Sequence, residues 1–150
     1  MGPLYHLVLE EDRKTAVKEA YAKMKNGGII FSSFISRYGI WSDIMRKMPH
    51  YNEFQDAVKS ILKKGQTPDL PMWRSTFRAY FTTVSEIIPL HEQEGFKTLT
   101  IAGVEPGGTD ESYKNLPDEQ RKLWLDLLFT ISTEQSIIGA SNHLLYVGQK

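Results

Sequence analysis

The sequence predicts an α/β fold, a sheet with helices layered on its faces. Two observations carry this reading. Segments of helical spacing alternate with segments of strand character over the 150 residues, in the order loop, helix, strand, helices, helix, strand, helix, strand. The longer helices also carry start and stop signals in the charges, glycines and prolines at their ends. With 41% hydrophobic and 24% charged positions, the composition suits one domain over residues 1–150 with room for a sizeable core.

The chain opens MGPLYHL. Gly2 and Pro3 suit a turn, while Tyr5 and His6 can stack, donate hydrogen bonds and move protons, so the stretch reads like an active-site loop. Residues 10–25 place Val17, Ala20, Tyr21 and Met24 on one helix face. Glu10, Glu11 and Asp12 open that helix and Lys23 and Lys25 close it, with Asn26-Gly27-Gly28 as a left-handed cap. GIIFSSFIS (28–36) follows as a strand. YGIWSDIMRKM and YNEFQDAVKSILKK then read as two short helices, the second through Phe54, Ala57, Val58, Ile61 and Leu62, before the Pro/Gly loop of 65–71.

The next helix takes Thr82 or Thr83 as its N-cap, Glu86 in its first turn and Gly95 at its end. Pro89 falls inside it, where proline is tolerated near the first turns or with a kink. FKTLTIAGVE (96–105) is a strand ending at the PGG turn. LPDEQRKLWLDLLFTIS then puts Pro117 at the first helical position and Leu123, Trp124, Leu127, Leu128 and Ile131 on one broad face, read as core. NHLLYVGQK ends the chain as a short strand. Three strands are few: the 28–36 strand needs cover on both faces and both edges, and part of that cover is missing.

Eighteen basic and eighteen acidic residues leave no net field to hold nucleic acid or an anionic membrane, which points to a small-molecule or protein partner. The absence of cysteine removes disulfides, thiolate zinc sites and cysteine nucleophiles and is compatible with a reducing compartment. No apolar run approaches the roughly 20 residues that span a bilayer, and no signal-peptide pattern opens the chain. A cytoplasmic protein is the expectation.

Neither GxGxxG nor GxxxxGK[ST] occurs, and Gly27-Gly28 and Gly107-Gly108 read as ordinary turns. His6, His50, His91 and His143 are scattered, and HEQEG lacks the second histidine of a zinc helix, so no metal site is expected. Ser32 and Ser33 lack a nucleophile elbow and read as sheet residues. His143 reads as structural, satisfied by a hydrogen bond at a strand start. Met24, Met45, Met48 and Met72 read as packing. Arg37-Tyr38 lies just past the end of a central strand, where open α/β sheets place ligands, and stays open between a functional and a structural role.

Taken in order, GPLYHL, EEDRKTAVKEAYAKMKNGG, IIFSSFISRY, AYFTTVSEI with EQEGF, and GASNHLLYVGQK resemble the C-terminal half of class I S-adenosylmethionine-dependent methyltransferases, in the small-molecule branch with a GPLYHL motif. The resemblance implies a Rossmann-like sheet in which 28–36, 96–105 and 142–148 are the fifth, sixth and seventh strands. The last of these is antiparallel and inserted between the other two. It further implies a helical cap over the substrate at 39–78. The first three strands, the glycine-rich cofactor loop and the acidic residue for the ribose have no counterpart, so the chain is expected to supply pocket wall and cap. Gly2 to Leu7 is then the exit of a fourth strand whose body lies upstream or has been lost.

Within that resemblance Tyr5 and His6 are the catalytic candidates, with His6 as a base; the alternative is that they only shape the pocket wall, His6 being hydrogen-bonded to backbone. Phe34, Arg37, Tyr38, Trp41 and Trp73 are the candidates for binding the methyl acceptor, and Gly2 and Leu4 for the cofactor side. The implied cofactor is S-adenosylmethionine and the implied partner a small-molecule acceptor. A non-catalytic remnant that self-associates through its exposed sheet edge, as a homodimer, is the other reading.

Overall fold

The computed structural model describes residues 4–41, 44–45, 55–68, 78–105, 113 and 115–150. A short 3₁₀ turn, Leu4–His6, leads into α1 (Glu10–Lys23), whose acidic first turn and basic last turn suit the helix dipole. The helix stops two residues before the predicted end. Met24 takes extended backbone (ψ 149°), and the left-handed Gly27 (φ 78°) belongs to the turn that enters β1. There its N–H donates to the Lys150 carbonyl at 2.8 Å. The Lys150 ammonium in turn donates to the carbonyls of Tyr21 (2.6 Å) and Met24 (2.9 Å), satisfying the end of α1 from the far end of the sequence.

β1 (Ile29–Ser36), β3 (Lys97–Gly103) and β4 (His143–Gln149) match the predicted strands. β4 lies between the other two and is antiparallel to both, from Ile29 opposite Gln149 to Ile35 opposite His143 on one side and from Lys97 opposite Gln149 to Gly103 opposite Leu144 on the other. A fourth strand was not expected. β2 (Phe81–Thr82) runs parallel to the last residues of β1, Phe81 beside Ile35 and Thr82 beside Ser36, giving the order β2-β1-β4-β3. Two residues are too few to show alternation, and of the two threonines read as candidates for the next helix's cap, Thr82 lies in this strand and Thr83 is the cap.

α2 (Gln55–Lys64) is the second helix of the predicted cap; of the first, residues 38–41 and 44–45 fall within the described residues, 38–40 as a turn, and Met45 is exposed rather than packed. α3 (Val84–Glu92) follows Thr83, whose N–H donates to the Glu86 carboxylate at 2.7 Å. At its far end Phe96 N–H bonds the His91 carbonyl (3.3 Å) and Gly95 N–H that of Glu92 (3.0 Å), with Gly95 left-handed (φ 100°), which is the Schellman ending predicted by a glycine there. A side chain at Gly95 would also come within 2.9 Å of the Tyr21 ring. α4 (Asp118–Ile131) starts one residue after Pro117, which is therefore the cap residue and not the first helical one. α5 (Gln135–Ala140) precedes β4. No helix among the described residues is long and apolar enough to cross a membrane.

One face of the sheet carries the core. Phe34, Ile101, Leu144 and Tyr146 pack with Val17 of α1, Ile87 of α3, Leu4, Phe96 and Ile138, each large side chain contributing about 1.5–3 kcal/mol by burial. His91, fully buried, stacks on Tyr146 at 3.8 Å between ring centroids and meets the Phe34 ring edge-on. Its Nδ1 lies 2.8 Å from the Ile87 carbonyl, which can only accept, so Nδ1 carries the proton and Nε2 accepts from the Ser32 hydroxyl at 2.9 Å. Burial holds the His91 pKa below its ordinary value, against the carbonyl's opposing pull.

The predicted core of α4 is corrected: no residue of this helix is buried, and Leu123, Trp124 and Leu127 are exposed. Helical spacing reveals an apolar face but not whether anything covers it. On the second face of the sheet Ile29 and Phe31 are also exposed.

These burials separate two substitutions. Leu144→Ala should lower the unfolding free energy in urea by about 2–5 kcal/mol, whereas Phe129→Ser on α4 should stay within about 0.5 kcal/mol of the parent. For His91 the unfolded chain binds a proton that the folded one resists. Stability is therefore full above the ordinary value of 6.5 and falls as pH drops from there toward the lower folded value, by at most about 1.4 kcal/mol per pH unit. Urea midpoints across that range should show the loss, and His91→Gln should remove this component.

Candidate functional site

α1 ends in the turn that enters β1, so its first turn stands at the carboxyl end of that strand. α3 follows β2, which pairs with the last residues of β1, so its first turn stands there too. Between these turns lies a cavity of about 270 Å³, walled by Glu10, Arg13 and Lys14 on one side and Ser85 and Glu86 on the other. Tyr80 and Thr82 form its back, with Phe34, Pro89 and Leu90 as apolar surface. This is the end of an open α/β sheet at which ligands bind.

Arg37, directly after β1, is almost wholly buried. Its Nε donates to the Phe81 carbonyl (3.0 Å) and its Nη2 to the Tyr80 hydroxyl (3.0 Å) and both Glu86 carboxylate oxygens (3.1 and 3.2 Å). The Tyr80 hydroxyl donates to Glu86 at 2.9 Å. Burial, followed by this carboxylate, raises the Tyr80 pKa. Gly65, left-handed at φ 69°, leaves the space Arg37 needs: a Cβ there would lie 2.5 Å from Nη2. Arg13 lies over the Tyr80 ring at 3.6 Å and donates through Nη1 to the carbonyls of Leu7 (2.7 Å) and Val8 (3.0 Å), fixing the segment between the 3₁₀ turn and α1. Burial lowers its pKa, though a guanidinium remains charged.

The Tyr5 and His6 rings meet at 4.4 Å between centroids, tilted by 52°. The Tyr5 carbonyl accepts from Tyr80 N–H at 2.7 Å, and His6 Nδ1 lies 3.4 Å from the Arg78 carbonyl. Tyr5, Ile40 and Trp41 pack on a second apolar cluster of Ile35, Ile61, Ala79 and Phe81. Of the sequence candidates, Tyr5, His6 and Trp41 thus gather beside β2, while Phe34 and Arg37 adjoin the cavity. Tyr38 is exposed and Leu4 lies in the main core. Gly2 and Trp73 lie outside the described residues, as do Met48 and Met72. His143 is hydrogen-bonded at its strand start, Nδ1 to a Glu105 carboxylate oxygen at 2.7 Å. Among the described residues no cluster of three or more metal-ligating side chains occurs.

Arg13, Tyr80 and Glu86 were not singled out in the sequence. Glu86 had been placed only in the first turn of its helix, and Arg13 had been given no role. A signal for Arg13 exists: it stands four residues before Val17, in line with the apolar stripe.

No protein-family model matches the chain, and no curated protein matches it. Among solved structures, the crystal structure of an S-adenosylmethionine-dependent methyltransferase from Methanosarcina mazei is similar, with a TM-score of 0.55 and 15% sequence identity. The match covers 100% of this chain and 57% of that one. At this identity the likeness is one of fold. The chain spans a little over half the length of that structure. The described residues do not by themselves fit S-adenosylmethionine. Leu4 is buried in the core, and the left-handed glycines, Gly27, Gly65 and Gly95, all follow helices rather than opening one after a strand.

Glu86 accepts from Arg37, Tyr80 and the Thr83 N–H at once. Glu86→Gln should therefore lower the unfolding free energy by about 1–3 kcal/mol, measured by urea denaturation, with Tyr80→Phe costing less.

Proposed function

We propose that the chain is the C-terminal portion of an S-adenosylmethionine-dependent methyltransferase acting on a small molecule. The observation that carries this reading is the likeness of fold, which runs over the whole chain; β4, antiparallel between β1 and β3, agrees with what the resemblance implies. In this reading β1, β3 and β4 are the fifth, sixth and seventh strands, and 39–78 is the cap. Tyr5, His6, Phe34, Arg37, Tyr38, Trp41 and Trp73 form the acceptor side of the pocket and Gly2 the cofactor side, whereas Leu4, packed in the core, supports the wall from behind. The chain's part is to orient the acceptor and to take a proton from an oxygen or nitrogen on it. The His6 contact to a backbone carbonyl favours a wall role for this residue over a catalytic one. The place of action is the cytoplasm.

Calorimetry with S-adenosylmethionine tests the proposal on the 150-residue chain and on a product extended upstream through any open frame before Met1. The extended product should bind and the shorter chain should not; no binding by the extended product overturns the reading.

A second reading has its own observation. β1 pairs with β2 only at Ile35 and Ser36, so from Ile29 to Phe34 its outer edge has no strand partner among the described residues. Ile29 and Phe31 stand exposed on the same stretch. Pairing of two copies through this edge would cover it. Light scattering should then give a dimer that Phe31→Lys weakens, and a folded monomer at high concentration would sink the idea.

A further inference from the structure

We propose that the cavity between the first turns of α1 and α3 binds a small carboxylic acid with an apolar body, its carboxylate on Arg13 and Thr82 and its body against Phe34 and Leu90. The site shares Phe34 with the acceptor side of the proposed pocket but does not rest on the methyl-transfer reading, since it is tested by binding alone.

The charge balance of the lining singles out Arg13. The Glu86 carboxylate is matched by Arg37, and Glu10 by Lys14 at 2.7 Å. Arg13, only 6% exposed, has no carboxylate within ion-pair distance among the described residues. Its Nη1 is occupied by the Leu7 and Val8 carbonyls. The Nε–Nη2 edge therefore keeps three N–H donors without a partner there, in the fork that a carboxylate fills with two parallel bonds. A buried cation calls for an anion.

Thr82 supplies an independent observation. It lines the cavity and is 3% exposed, yet its buried Oγ1 has no hydrogen-bond partner among the described residues. Pairing with Ser36 puts its side chain on the face of the sheet that carries Phe34. Its oxygen is covered from solvent as it stands, and turning the side chain about χ1 toward a bound carboxylate would give this unpartnered hydroxyl an acceptor.

The remaining surface sets the ligand class. Phe34, Pro89 and Leu90 suit a ring or short branched chain, and a volume of about 270 Å³ lies at the small end of ligand sites, which run from roughly 300 to 1,000 Å³. Glu10 and Glu86 border the site, so one unmatched cation favours a monoanion over a dianion such as phosphate.

Phenylacetate and its neutral analogue phenylacetamide, titrated into the chain at neutral pH and followed by NMR at the Arg13 Nε–H and the first amides of α1, test the proposal. The acid should bind saturably and at least about 10-fold more tightly than the amide. Thr82→Val, which keeps the side-chain shape, should weaken the acid about 3-fold or more while leaving the rest of the spectrum unchanged. Arg13→Gln should abolish the preference for the acid; should that variant fail to fold, Thr82→Val decides. Equal binding of acid and amide, no binding of either, or an unchanged affinity in Thr82→Val overturns the proposal.

Discussion

The sheet is a single object because of its last strand. β1 and β3 run parallel and make no ladder with each other; each is hydrogen-bonded to β4. That strand alternates buried Leu144, Tyr146 and Gly148 with half-buried neighbours, so its inward face fills the core while its backbone joins both flanks. Tyr146 concentrates this role: its ring stacks on His91 and its hydroxyl meets Thr98 at 3.2 Å. Ile29 therefore finds its partner only when Gln149 arrives. Closing a loop of that length costs entropy before any contact repays it, which makes assembly of the sheet a late and cooperative event.

Polar groups buried around that sheet fasten its helices. α3 is held to β1 near both of its ends, by Glu86 on Arg37 in its first turn and by His91 on Ser32 in its last. Two anchors set its rotation as well as its position, because each demands a particular side chain in a particular direction. Removing one partner costs more than the pair contributes, since the other is left buried without its match. α1 is fixed differently, by Arg13 on the chain that precedes it and by Lys150 on its final carbonyls.

Three strands and the main helices were legible because period and capping are local properties. Gly95 after EQE and Glu86 three residues beyond Thr83 spell out their ends in neighbouring residues. β2 escaped because two residues have no period. The exposure of α4 escaped because Leu123, Trp124 and Leu127 have the spacing of a buried face whether or not anything lies against it. At the site, Tyr5, His6 and Arg37 drew attention by residue type and place, but the Arg37–Glu86–Tyr80 network joins positions 43 and 49 residues apart from Arg37. No spacing rule reaches that far, and only the fold brings those groups together.

The two sides of the sheet are finished differently. β3, at one side, is broken by a bulge between Thr98 and Thr100 and begins with Lys97, features that spoil an edge for further pairing. On the other side, Ile29 to Phe34 of β1 run in regular register with β4 and carry no such interruption. A sheet open on both sides could add copies head to tail without limit. With one regular edge among the described residues, the strand pairing between copies proposed above would use up that edge in the first encounter and stop growth at two.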